Sequence, residues 1–418
     1  MKYYRFIIYI FALLAVGLSG QALAATEFVT TIKSSGGDYS SLATWEGAIA
    51  SDLTAATTTV IGGSLTRGSF ADSVAVTQTT SNATGTMLHD TATQMMLVGL
   101  NGAPNATGTW WPTANGNDTT NAWTPTDAGD SVIAVAKIDG TWNSADTGNA
   151  TITGWNTTST NYIKIYTTTA ARHNGTWGNG YRRTGTLTIQ EEYVRIDGIS
   201  AQSTSAGIYF INGSTGVGDV RVSNSYGQYT GNGSNRIYDI YSVGSLVIYL
   251  WNNIGISTST NTTSYPFYVN DTSPTVYMYN NTGIVASSTA FRSNTGTNTF
   301  SKNNLGYSIG SGLAFSGTFA SSTYSASNDA TADDWGGDGN RINQTFTFVD
   351  SANNNWHLAS NDVGAKDFGV SDPGSGLFSD DIDGVTRSGT WDIGADEFKI
   401  KGTKIRGNVK MRGNVKFR

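Results

Sequence analysis

The 418-residue chain contains no cysteine, three histidines and six prolines, and only 13% of its residues are charged. Without cysteine there is no disulfide framework, no lipid-attachment thiol and no thiolate metal site. The histidines, His89, His173 and His357, are scattered and lack metal-ligand spacing. Strong helix formers are sparse, whereas Gly, Ser, Thr and Asn abound, a mixture that favours short strands and turns over helical bundles. Aromatic residues make up 11% of the chain, far more than a solvated linker carries. The composition therefore points to a folded, turn-rich β protein.

The first 24 residues carry Lys2 and Arg5, an apolar run over 6–18, and the small-residue ending Ala22-Leu23-Ala24. This pattern predicts a secretory signal peptide cleaved after Ala24. The run is shorter than the roughly 18–20 apolar residues that a membrane anchor needs. No other segment is apolar enough to span a bilayer, so the mature chain is expected outside the cell or at its surface, in a bacterial setting. Of 25 basic residues, two lie in the leader and eight in 399–418, leaving 15 against all 31 acidic residues. An acidic body argues against nucleic acid as a partner. The basic tail, with its two Gly-Asn dipeptides at 407–408 and 413–414, is expected to contact an anionic surface.

A phrase recurs at VRIDG, VRVSNSYG, IYLWNNIG, VYMYNNTG and TFSKNNLG, beginning at Val194, Val220, Ile248, Val276 and Thr299. Successive copies lie 26, 28, 28 and 23 residues apart, and an earlier copy starts at Ile163. One strand plus turns per repeat is the signature of a solenoid. Alternation along each copy puts Ile163/Ile165, Val194/Ile196, Val220/Val222, Ile248/Leu250 and Val276/Met278 inside. The residues between them, Lys164, Arg195, Arg221, Tyr249, Tyr277 and Phe300, form an outward column. A second outward column is read as Tyr209, Tyr238, Tyr268 and Phe291. Asn224, Asn252, Asn280 and Asn303 share one turn position and predict a coil-to-coil amide ladder.

Ahead of the repeat, Ser41 can cap a helix whose Leu42, Trp45, Ile49 and Leu53 share a face. Such a helix would plug the open end of a solenoid. The expected organisation is a leader (1–24), a strand and capping helix (25–53), coils (54–328), a closing segment (329–398) and the basic tail (399–418). Strand candidates at 58–61, 95–100 and 132–138 are assigned to early coils with long loops.

WHLASNDVGAKDFG (356–369) and DIDGVTRSGTWDIGADEF (381–398) resemble the C-terminal ending of secreted right-handed parallel β-helix proteins of the pectin-lyase-like superfamily. GGDYSSLATWEGAI resembles their N-terminal cap. The resemblance implies an all-β, right-handed parallel β-helix that is exported. Its members include enzymes and adhesins, so it leaves the activity open.

The outward column sets a basic half beside an aromatic half. Rings stack on sugar faces and cations pair with carboxylate or sulfate, which suits an acidic extracellular polysaccharide. Relatives that are lyases hold calcium with stacked acids, and the column has none. Asp333-Asp334 lies in a Gly-rich loop, with no His-Gly or Arg-Ile-Lys partner element of the hydrolase relatives. No catalytic set is assigned. Asp381 and Asp383 could supply oxygen ligands to calcium, although turn hydrogen bonds account for them as well. The expectation is a non-catalytic glycan-binding protein, with a polysaccharide lyase or glycoside hydrolase, or a structural assembly protein, as alternatives.

Overall fold

The computed structural model describes residues 25–68, 70–115, 121–213, 216–241, 243–294 and 298–399. The leader and nearly all of the basic tail lie outside these residues. Three long parallel sheets wind into a parallel β-helix. Sheet I holds nine strands: Thr26–Ile32, Val132–Ile138, Ile163–Thr167, Val194–Asp197, Asp219–Ser223, Val247–Trp251, Thr275–Tyr279, Thr299–Lys302 and Ser321–Thr323. Sheet II runs from Arg182–Arg183 to Ala326–Ser327, and sheet III from Ala150–Ile152 to Leu313–Gly317, each with seven strands.

The repeat phase holds in sheet I. Val194 pairs with Val220, Val220 with Ile248 and Ile248 with Val276, and all of these side chains are buried. Four successive sheet I strands, those from Asp219 to Lys302, are each followed by an asparagine with positive φ: 48° at Asn224, 52° at Asn252, 49° at Asn280 and 56° at Asn303. Asparagine enters this left-handed region because its short amide bonds locally. Asn252 Nδ2 donates to Asn224 Oδ1 at 3.1 Å, and Asn303 Nδ2 to Asn280 Oδ1 at 3.1 Å. A second, deeper ladder, Asn253–Asn281–Asn304, is bonded at 3.0 Å per step and also caps backbone groups.

Sheet III corrects the second outward column. Its register is Tyr209–Tyr238–Phe267–Phe291–Phe315, and every ring in it points inward. The rings stack with centroids 4.7–5.0 Å apart. Tyr268 alone of the residues first assigned there faces out, one place along from Phe267. Room for the stack comes from a column of glycines in sheet II, Gly227–Gly255–Gly283–Gly306. A Cβ on Gly283 would sit 2.8 Å from Phe291 Cε2 and 3.0 Å from Ala290 Cβ. Gly283→Ala is therefore expected to lower stability by about 1–3 kcal/mol through overpacking. Urea denaturation measures it; an unchanged midpoint would rule out contact across the core.

Helix α1 (Leu42–Ile49) carries the expected cap, with Ser41 Oγ accepting from Thr44 N. Leu42, Trp45 and Ile49 are buried, and Trp45 stacks on Trp155 at 5.7 Å beside the first coil. At the far end Phe319 covers Phe315, and Trp335 covers Phe319 with centroids 4.7 Å apart. Both mouths of the core are thus closed.

Two expectations about the chain's organisation change. Residues 59–125 do not form early coils; their six antiparallel strands close into a barrel with its own core of Ile61, Met87, Met95, Leu97, Trp110 and Trp123. The barrel is inserted between the first two strands of sheet I. The segment 344–398 does not seal the coil end either. It runs back as a strap along the corner between sheets I and II. Asn303 donates to Val370 O, Asn280 to Asp392 O and Gly394 O, and Asn252 to Asp380 O. Under the strap, Ile254, Ile256 and Ile284 point outward from sheet II and are covered by Trp356, Ile382 and Ala395.

Candidate functional site

The strap borders the outer face of sheet I and reaches over it at Phe378. Lys164, Arg195, Arg221, Tyr249, Tyr277 and Phe300 stand in register there, each partly exposed. Tyr249 stacks on Tyr277 at 5.2 Å, and Tyr277 on Phe300 at 5.1 Å. The basic half is more neutralised than the sequence suggests. Lys164 Nζ lies 2.7 Å from Glu27, and Arg195 and Arg221 share Asp219 at 2.7 and 2.6 Å. Arg221 binds Asp219 through Nε and lies 5.6 Å over the Tyr249 ring. Its amino groups therefore extend past the ion pair, whereas those of Arg195 donate to the carbonyls of Val194 and Asp219 and to the Asp219 carboxylate.

The neighbouring outward column reads Tyr166–Asp197–Ser223–Trp251–Tyr279–Lys302. Trp251 stacks at 5.9 Å on Phe378, which the strap brings over the sheet. Between strap and sheet lies an open groove of about 1290 Å³, whose walls include Arg172, Asp197, Arg221, Trp251, Asp380 and Asp383. Asp197 is held by Arg172, by Ser223 Oγ at 2.9 Å and by Asn224 Nδ2 at 2.7 Å. Opposite it, burial raises the Asp380 carboxyl above the usual carboxylate range, and the charge of Asp197 pushes the same way. The sequence could not show this pairing, because 183 positions separate two residues that only the strap brings together.

The calcium candidates divide. Asp381 accepts backbone N–H groups from Asp383, Val385 and Glu397, which fixes the turn. Asp383 instead faces His357 and Asp396. Asp333 and Asp334 are exposed by the end cap and take no part in the groove. His173 is buried with Nε2 2.8 Å from Asn224 O, and burial lowers it to about 4, so it stays neutral. His89 lies between Asp72 and Asp38, on strand Thr84–Asp90 of the barrel.

No family model, curated protein or solved structure matches the chain. The parallel β-helix is thus established by strand pairing alone. Among the described residues no helix is long and apolar enough to cross a membrane.

Proposed function

We propose that the protein is an exported, non-catalytic member of the pectin-lyase-like superfamily that binds extracellular polysaccharide on the outer face of sheet I. The parallel β-helix and the Asp-x-Asp-Gly and Asp-Ile-Gly-Ala elements support the superfamily reading, although those elements build the strap. One observation carries the binding reading: a partly exposed ring stack, Tyr249–Tyr277–Phe300, continues in register from Arg221, which itself lines an open groove. A stack of rings at the strand spacing presents a continuous apolar ridge against which sugar rings can pack. The preference for acidic glycans narrows to Arg221, because Lys164 and Arg195 are already paired with carboxylates.

The glycan reading is tested by affinity electrophoresis against acidic and neutral polysaccharides. Tyr249→Ala with Tyr277→Ala should weaken retention at least tenfold, whereas Arg221→Ala should weaken only the acidic series. Unchanged retention in the double variant would sink the proposal. A second reading, glycosidic hydrolysis, is favoured by Asp197 and Asp380 facing one groove in unlike environments, as acid/base carboxyls do. Release of reducing ends that disappears in Asp380→Asn would establish it over simple binding.

A further inference from the structure

Behind the 381–386 turn, on the side away from the groove, lies a cluster that glycan binding does not use. His357 on strand Asn355–Leu358, Asp383 in the turn and Asp396 near the end of the strap each offer one donor atom. These three atoms lie within 4.8 Å of one another. They come from three separate stretches of chain, so local sequence does not explain their convergence.

The imidazole is held in one orientation. Its Nδ1 is 2.5 Å from Asn355 Oδ1, an amide oxygen that only accepts, which places the proton on Nδ1. The loop at Gly175 packs against the ring edge, where a Cβ would fall 2.4 Å from His357 Cε1. Nε2 is then the nitrogen turned toward the carboxylates. It is sealed from solvent and sits 3.2 Å from Asp383 Oδ2, yet it has no aligned hydrogen bond. Asp396 is 7% exposed, and its Oδ2 accepts one backbone N–H, from Leu358 at 2.7 Å.

A lone pair facing two carboxylates needs a positive charge between them. A proton on Nε2 would supply it, but the poor alignment with Asp383 makes a weak hydrogen bond. A cation at the point where the three donor atoms converge would bond to each of them. The Nδ1–amide contact is the outer-shell bond that metal-binding histidines commonly make.

We propose that His357, Asp383 and Asp396 bind a divalent transition-metal ion of the zinc type. One imidazole with two carboxylates suits such an ion better than calcium, which takes six to eight oxygens. Zinc bonds of about 2.0–2.2 Å put tetrahedral donors roughly 3.4 Å apart, so a donor pair at the 4.8 Å limit closes by about 1.4 Å on binding. A cavity of about 770 Å³ beside the donors has room for water in the remaining position. Asp383 lines this cavity and the groove alike, so the bound ion would stiffen one groove wall.

Calorimetric titration of untagged full-length protein with ZnCl2, CoCl2 and CaCl2 tests the site. The expected result is one saturable zinc site, visible absorption from bound Co2+, and binding at least tenfold weaker in both His357→Ala and Asp396→Asn. Circular dichroism confirms that the variants are folded, and Asp383→Asn provides a third variant if either is not. Absence of saturable zinc binding, or equal affinity in folded variants, overturns the proposal. So does a calcium response without a Co2+ spectrum. The glycan reading stands or falls separately, since retention on polysaccharide is measured in chelator as well as in zinc.

Discussion

Replacing Arg387 by alanine is expected to release the strap and to cost about 3–5 kcal/mol of stability, the usual effect of breaking a buried ion pair from one side. Arg387 is 4% exposed and binds Glu397 Oε2 at 3.2 Å, Asn252 Oδ1 at 3.0 Å, and the carbonyls of Asp380, Gly394 and Ala395. It therefore ties Asp380 to the 394–397 stretch of the strap and both to the outer asparagine ladder. Its loss would also leave Glu397 as a buried, unpaired carboxylate. Limited proteolysis should show cleavage within 344–398 in the variant before the coils are cut. A lysine at this position should recover little, because one ammonium cannot reach the acceptors spread around the guanidinium fork. Equal protease resistance in Arg387→Ala and the parent would show that the ladder contacts suffice without it.

Asp146→Ala should be comparably severe, at about 3–5 kcal/mol, but at the opposite end of the molecule. Asp146 and Arg183 form an ion pair at 3.1 Å with side-chain exposures of 2% and 0%. The same carboxylate accepts from Tyr181 Oη at 2.7 Å and from Leu42 N at 3.1 Å, at the first residue of α1. Removing it strands a guanidinium in the core and unpins the helix from the first coil. Replacing the pair together, Asp146→Leu with Arg183→Met, should be milder than Asp146→Ala alone, because no uncompensated charge is then buried. Chemical denaturation of the three proteins checks the order. A double variant as unstable as the single one would mean that packing, not charge, sets the cost.

How much of this was legible in the sequence follows from side-chain periodicity. In sheet I, β-branched residues alternate with charged or aromatic ones, so Val194/Ile196 and their equivalents declare their side directly. Sheet III was harder, since Phe267 and Tyr268 are both aromatic and neither neighbour breaks the tie. Sheet II reverses the usual polarity, with glycine inward at 255 and 283 and isoleucine outward at 254, 256 and 284. An outward isoleucine row has no counterpart in the sequence pattern of a free sheet face, because the strap that covers it lies about a hundred residues further along the chain. The inner ladder had a visible trace in the Asn-Asn pairs at 252–253, 280–281 and 303–304, whose second members repeat as regularly as the first. The barrel had no such trace, because its antiparallel strands follow no repeat. The groove depends on strap and sheet together, which is why its column residues were found and Asp380 was not.

The barrel's placement carries a consequence for how the chain reaches this state. Thr26–Ile32 can join sheet I only by pairing with Val132–Ile138, more than a hundred residues away. Closing a flexible loop of that length is entropically costly, and topologies with distant pairings fold slowly. Yet the barrel's entry and exit are stitched together, with Val60 N donating to Asp130 O at 3.0 Å and Asp130 N to Val60 O at 2.9 Å. Once the barrel has folded, the loop to be closed shrinks from the whole insertion to its two short flanks. The insertion then acts as a clasp that delivers the first strand to the second. Residues 60 and 130, rather than any in the coils, are where a chain without the barrel could be rejoined.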